Sequence, residues 1–277
     1  MGERFALIAG AGDIPLILAR AAKAQGVSFI AVALTEAAIA PLEGLADKVY
    51  RISIGQIGKI IKTVKKEGID NVLFIGKVKK DLLFEKIRFD LKALKLLASL
   101  KNRNDDTIML AIVKELASEG IEVMDQTLYL RDLMPKASVL TKKKLKKNEW
   151  DDIHYGMEMA KKVAGLDIGQ TVVVKDKAIM AVEAIEGTDE AVIRGGLLAR
   201  GGAVVAKVAK PNQDPRFDVP VVGHTTLQSM VKAGVTILAI EAGKTLMVDK
   251  ENIVKEADAN RLSIVSYDFE EHSQSGV

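Results

Sequence analysis

Acids, amides and cations crowd into two short stretches of the C-terminal half. Glu183, Glu186 and Asp189 surround Gly187 and Thr188, and the run from Pro211 to Pro220 holds Gln213, Asp214, Arg216 and Asp218. Glu241 ends a further apolar run. Carboxylates at this density suit Mg²⁺ or Mn²⁺, hard cations that take oxygen ligands and commonly bridge carboxylates to substrate phosphates. Arg194, Lys207, Lys210 and Arg216 lie close in sequence and could neutralise phosphate charge. The combination points to phosphoryl chemistry. The ordinary alternative for any one of these residues is a helix cap, a turn or a surface ion pair.

The N-terminal half offers a different device. Leu7 to Pro15 reads LIAGAGDIP: a strand, a turn carrying Gly10 and Gly12, then Asp13 and a helix start, a geometry that can aim backbone N–H groups at a phosphate. Pro15 replaces the third glycine of the dinucleotide fingerprint and suits a first helical turn, which argues against a nicotinamide-dependent oxidoreductase. Glu36 stands near the offset of a ribose-binding acid. Asp105 and Asp106 open a later helix, where capping accounts for one carboxylate and leaves the other as a candidate ligand. His154, His224 and His272 are scattered with no metal-ligand spacing, and there is no cysteine. Thiolate nucleophiles, disulfides and thiolate zinc sites are thereby excluded, and any metal leans on oxygen.

These residues need a scaffold that brings strand ends together. Short β-rich runs at 5–9, 27–34, 49–54 and 71–75 alternate with helical patterns at 15–25 and 56–67, and helical segments at 81–100 and 105–118 lead to a strand at 121–124. Alternation of this kind predicts a Rossmann-like parallel sheet over residues 1–133. The pattern breaks at 134–148, a basic linker with five lysines in the six residues 142–147. Residues 149–277 form a mixed α/β catalytic domain. Asn148 caps a helix ending before Gly165, strands fall at 171–174, 179–184, 203–208, 236–240 and 263–267, and helices fall near 189–198, 225–233 and 250–257. Lys175-Asp176-Lys177 makes the first two strands an antiparallel hairpin. The tail from 270 on is expected to fray.

Composition sets the remaining bounds. With 48% hydrophobic and 28% charged residues over 277 positions, the chain can bury a sizeable core. A net charge of +3 is too near balance to indicate nucleic acid as a partner. Neither a secretory signal nor an apolar run of bilayer length is visible, so a cytoplasmic location is expected. Leu91, Leu94, Leu97 and Ala98 share one helical face, with Lys92, Lys95 and Lys101 elsewhere. Such a face packs on a core or holds acyl chains.

The motifs IAGAGDIP, NDDTIM, GLDIGQTVVV, AVEAIEGTDE, KVAKPNQDPRFDVPVVG and LAIEAG together resemble the LpxI-type UDP-2,3-diacylglucosamine pyrophosphatases of lipid A biosynthesis, over nearly the whole chain. The resemblance implies a two-domain enzyme that holds UDP-2,3-diacylglucosamine between its domains. With a divalent cation, it would be hydrolysed to 2,3-diacylglucosamine 1-phosphate (lipid X) and UMP by attack on the β-phosphorus. The essential aspartate falls within PNQDPRFD, so Asp214 is favoured and Asp218 is the runner-up. On this reading Asp214, Asp218, Glu186 and Asp189 hold Mg²⁺ (or Mn²⁺) or orient water, while Lys210 and Arg216 offset phosphoryl charge. Gly10, Gly12, Asp13, Pro15, Asp105, Asp106, Gln170, Gly187, Thr188, Arg194 and Gln213 join Glu186 and Asp189 in the substrate site. A diacylated substrate would be met at the inner face of the inner membrane, by peripheral contact, and a homodimer is compatible with the sequence. The competing classes are the oxidoreductase and a non-catalytic sugar-nucleotide or lipid carrier, for which the acid cluster would be idle.

Overall fold

The computed structural model describes residues 4–77, 88–100 and 105–270. The chain divides into two units, Met1–Leu130 with Pro215–Phe217, and Arg131–Asp214 with Asp218–Val277.

The first unit contains β1 (Phe5–Ala9), α1 (Ile14–Ala24), β2 (Phe29–Ala33), α2 (Ile39–Glu43), β3 (Val49–Arg51), α3 (Ile57–Lys66), β4 (Asn71–Ile75), α4 (Leu91–Ser99), α5 (Asp105–Ser118) and β5 (Glu122–Val123). All five strands are parallel, in the order β3-β2-β1-β4-β5. The sequences FALIA and FIAVA are apolar at every position because both faces of β1 and β2 are covered. On one face, Ile57, Ile60, Ile61 and Val64 of α3 pack with Leu116 of α5 and with Phe217, which belongs to the distant Pro215–Phe217 segment. The Rossmann-like expectation is borne out. A 3-10 turn at Glu36–Ala38 and the five-residue α2 were not legible, being too short to show periodicity. The helix expected over 81–100 is described from Leu91, and its earlier part lies largely outside the described residues.

The second unit contains β6 (Ser138–Val139), α6 (Lys147–Gly165), β7 (Thr171–Lys175), β8 (Ala178–Val182), α7 (Thr188–Ala199), β9 (Val204–Lys207), β10 (Val221–Val222), α8 (His224–Ala233), β11 (Ile237–Glu241), β12 (Leu246–Met247), α9 (Lys250–Ala259) and β13 (Ser263–Tyr267). Its main sheet runs β6-β13-β11-β9-β7-β8, with β13, β11 and β9 parallel and with β6 and β7 antiparallel to their neighbours, so it is mixed as expected. Alternate residues of each strand face opposite layers. Val172, Val204 and Ala239 meet Ile153, Met157 and Ala160 of α6, whereas Val173, Val205 and Leu238 meet Val192 of α7 and Leu227 of α8. Ile153 and Met157 are fully buried, each contributing roughly 1.5–3 kcal/mol. Small residues let the helices approach closely. A Cβ added at Gly195 would lie 2.5 Å from Cβ of Val173, and one at Gly156 would lie 3.1 Å from Cβ of Ala206.

The β7–β8 hairpin turns on Asp176 and Lys177, at φ of 51° and 56°, without a glycine. Asp152 of α6, itself buried, compensates by accepting the N–H of Asp176 at 2.9 Å and of Lys177 at 2.7 Å. Helix α6 starts before Asn148: position 146 is its N-cap, and Glu149 reaches back to the N–H of Lys146 at 2.7 Å. Gly165 is the last helical residue rather than the one beyond it. The segment read as a basic linker supplies β6, a two-residue edge strand paired with β13, too short to leave a period-2 signal.

Candidate active site

In an open α/β sheet, ligands bind beyond the carboxyl ends of the parallel strands. In the second unit that end lies beyond Lys207 of β9 and Glu241 of β11. Because β7 is antiparallel to β9, its first residue, Thr171, pairs with Lys207 and brings Gln170 to the same edge. Strand β8 runs back alongside β7 and delivers Glu183 there, where the N–H of Glu183 donates to the Thr171 carbonyl at 2.9 Å.

A chain of polar contacts crosses this edge. The buried Lys207 donates from Nζ to Thr188 Oγ1 at 3.0 Å, and Thr188 donates to Glu183 Oε1 at 2.9 Å. Glu183 Oε2 accepts the Gln170 N–H at 3.3 Å. The hydroxyl of Thr188 thus links a buried ammonium to a carboxylate at the first turn of α7. Gly187, at φ 86°, makes the turn into that helix.

The loop leaving β9 carries the second group. Lys210 Nζ stands 2.8 Å from Asp167 Oδ1 and 3.4 Å from Asp218 Oδ2. Gln170 Nε2 donates to the same Asp218 oxygen at 3.2 Å, while Gln170 Oε1 is buried without a hydrogen-bond partner. Gln213 braces the loop, accepting the Lys210 N–H at 2.9 Å and donating to the Asp218 carbonyl at 2.8 Å. Asp218 adopts φ 64°, a left-handed conformation that costs a non-glycine residue roughly 1–2 kcal/mol. Between the two aspartates, Pro215, Arg216 and Phe217 belong to the first unit, where Phe217 joins the core and the Pro215 carbonyl accepts the Gln126 N–H at 2.8 Å.

The structure therefore brings Gln170, Lys210, Gln213 and Asp218 together, and places Thr188 with Glu183 and Lys207. Glu186 and Asp189 are engaged elsewhere. Glu186 pairs with Arg194 at 2.6 Å, and its own backbone N–H together with Arg194 holds its carboxyl below the usual range. Asp189 accepts from Thr226 of α8 at 3.2 Å. Among the described residues, no three His, Asp or Glu side chains gather closely enough to hold a metal ion. Three of the four carboxylates expected as ligands have separate partners: Asp218 faces Lys210, Glu186 faces Arg194 and Asp189 faces Thr226. Of the histidines, His154 bonds Tyr267 and His224 bonds Asp249 and Glu256, while His272 lies outside the described residues. Sequence reading missed Lys161 of α6 and Asp167 in the turn just beyond it, each of which meets a residue of the loop after β9 more than 40 positions away.

In the first unit, the glycine turn sits where the strand order switches between β1 and β4. Two of its amides are spent internally: Gly10 N–H donates to the Ile75 carbonyl and Ala11 N–H to the Lys77 carbonyl, both at 2.8 Å. A Cβ at Gly10 would lie 2.7 Å from the Lys77 oxygen, so this glycine is needed for backbone contact whether or not a phosphate is bound. Asp13 is the N-cap position of α1, and Pro15 is buried in its first turn. Asp105 and Asp106 open α5. Glu36 is exposed and pairs with Arg51.

The model of the LpxI N-terminal domain matches residues 4–133, and that of the LpxI C-terminal domain matches residues 136–265. The UDP-2,3-diacylglucosamine pyrophosphatase LpxI of Caulobacter vibrioides is 33% identical, with 97% of this chain and 99% of that protein covered. Among solved structures, a phosphoribosylglycinamide synthetase from Anaerococcus prevotii aligns at 16% identity with a TM-score of 0.28, over 66% of this chain and 39% of the other. An N5-carboxyaminoimidazole ribonucleotide synthetase from Thermotoga maritima aligns at 16% identity and a TM-score of 0.25, over 66% of this chain and 42% of the other.

Proposed function

The chain belongs to the LpxI family, and from that premise we propose that it hydrolyses UDP-2,3-diacylglucosamine to lipid X and UMP, a step of lipid A biosynthesis. The supporting observation within the fold is Asp218: a carboxylate in a left-handed backbone position, on a loop leaving a buried strand, between the Lys210 ammonium and the Gln170 amide.

In the reaction proposed, a water oxygen bonds to one phosphorus of the anhydride. The P–O bond to the bridging oxygen breaks, and that oxygen leaves with the electron pair on the departing phosphate. Asp218 or Asp214 accepts the proton released by the water, and Lys210 and Arg216 offset charge on the phosphoryl oxygens. The Lys207 ammonium at the start of α7 adds positive potential at the same strand end. Among the described residues no three carboxylates gather into a cradle for Mg²⁺ or Mn²⁺, and proton transfer and charge compensation fall to these side chains.

The test incubates the purified protein with UDP-2,3-diacylglucosamine, with Mg²⁺ or with EDTA, and follows UMP by mass. Turnover of wild type, with a loss of roughly 10²–10⁴-fold in Asp214→Asn or Asp218→Asn, is expected. Near-normal UMP release by both variants would refute the assignment. Hydrolysis in heavy-oxygen water then locates the attack, with label in lipid X meaning the β-phosphorus and label in UMP the α-phosphorus.

A further inference from the structure

The ladder between β9 and β11 stops at the pair Lys207 and Ile240. One residue further along β11, the buried Glu241 takes over with its side chain, Oε2 accepting the N–H of Ala209 at 2.9 Å. Lys161, from α6, donates Nζ to the carbonyl of the same Ala209 at 2.7 Å and meets the same Glu241 oxygen at 2.7 Å. Lys244 stands 3.0 Å from the other oxygen. Both hydrogen-bonding atoms of Ala209 are thus held by one ion pair. The next residue is Lys210.

An ion pair withdrawn from water is costly, and apolar residues of similar volume often serve stability as well or better. Phe269, whose ring lies 5.5 Å from Lys161 Nζ, would pack well against such a replacement. What apolar residues could not do is pin the donor and the acceptor of a residue that has already left its sheet. We infer that Lys161 and Glu241 are positioning residues for the reaction. By fixing Ala209 they set where Lys210, Gln213, Asp214 and Asp218 stand, without touching the reacting atoms. The inference rests on the pyrophosphatase reading of this loop.

The experiment compares Lys161→Met, Lys161→Arg and Glu241→Gln in the full chain, well below each melting midpoint. It measures kcat and KM for UMP release and amide hydrogen exchange of a peptide spanning 209–218. Lys161→Met and Glu241→Gln are expected to lower kcat by about tenfold or more, with KM within about threefold, since misplacing reacting groups by about 1 Å can cost 10²-fold. Exchange in the loop peptide should quicken by about tenfold while peptides from β11 and β13 keep wild-type rates. Lys161→Arg, which keeps charge and donor, should recover most of kcat. Unchanged loop exchange, acceleration spread evenly over the unit, or a loosened loop with normal kcat would each overturn the inference. If Glu241→Gln does not fold, the two Lys161 variants carry the test. If wild type releases no UMP, the proposed reaction falls, and loop exchange still decides whether the clamp exists.

Discussion

Helix α7 lies so close to β7 that a single methyl group tests the packing of the whole unit. In an ordinary helix interior, glycine to alanine stabilises by about 1 kcal/mol, because alanine loses less backbone entropy. At Gly195 the sign should reverse. The new Cβ would stand 2.5 Å from Cβ and 2.7 and 2.8 Å from the two methyl carbons of Val173, against the ordinary 3.4–4 Å of carbon contacts. Val173 is fully buried in the centre of β7 and cannot turn aside. Helix α7 must therefore move outward by about 1 Å, an overpacking cost of about 3 kcal/mol. Subtracting the propensity gain leaves a net loss of about 2 kcal/mol, or a fall in Tm of roughly 5–8 °C for a unit of this size. Calorimetry of Gly195→Ala measures it, with Leu198→Ala as the control, because Leu198 on the same helix is largely exposed and should shift Tm little. An unchanged or raised Tm for Gly195→Ala would refute the close-packing account. Because α7 carries Thr188 in its first turn, the same variant should also lower activity.

Three further outcomes are expected. Asp152→Ala removes the acceptor of two N–H groups at the β7–β8 turn and should cost about 3 kcal/mol by denaturant unfolding, whereas Lys177→Gly, relieving a positive φ, should stabilise by about 1 kcal/mol. His224 lies between Asp249, 3.1 Å from Nε2, and Glu256, 2.8 Å from Nδ1, and two carboxylate partners require both ring nitrogens to carry protons. Asp249 first, then Glu256, raises its pKa, so its stabilisation is complete below the unfolded value and lost as pH rises through the folded one. The Tm gap between wild type and His224→Gln should therefore shrink from pH 6 to pH 9 in thermal melts. Glu119 has its carboxyl lowered from 4.5 to about 2 by Lys65 and then Lys92, so NMR titration should find it ionised at pH 3.5, with its stabilisation complete above the unfolded value and lost progressively as pH falls from there to about 2.

How much of this was legible beforehand follows from range. FALIA, FIAVA and TVVVK announce buried strands by composition alone, and Lys175-Asp176-Lys177 announces a hairpin because turn chemistry is local. Gln170, Gln213 and Asp218 were legible through their motif, although nothing in it shows that Gln170 and Gln213 grip Asp218. The partners of Lys210 and Ala209 were not legible. Lys161 belongs to a helix whose periodicity reports its apolar face and says nothing of where its polar side chains arrive, and Asp167 lies in the turn just beyond that helix. Gly10 is ambiguous in sequence, since a glycine needed for close contact with the Lys77 carbonyl looks the same as one needed for a pyrophosphate. The strands β6, β10 and β12 have two residues each, below the length at which alternation can be seen.

The three residues Pro215–Phe217 carry a consequence for how this protein can be divided. No uninterrupted stretch of the gene encodes the first unit, since a fragment ending at Leu130 would lack the buried phenyl group of Phe217 that belongs to its core cluster. A fragment starting at Arg131 would carry that phenyl group with its native neighbours gone. The two halves are therefore not interchangeable cassettes, and shuffling them between relatives should work only when the PNQDPRFD segment and residues 4–130 come from the same parent.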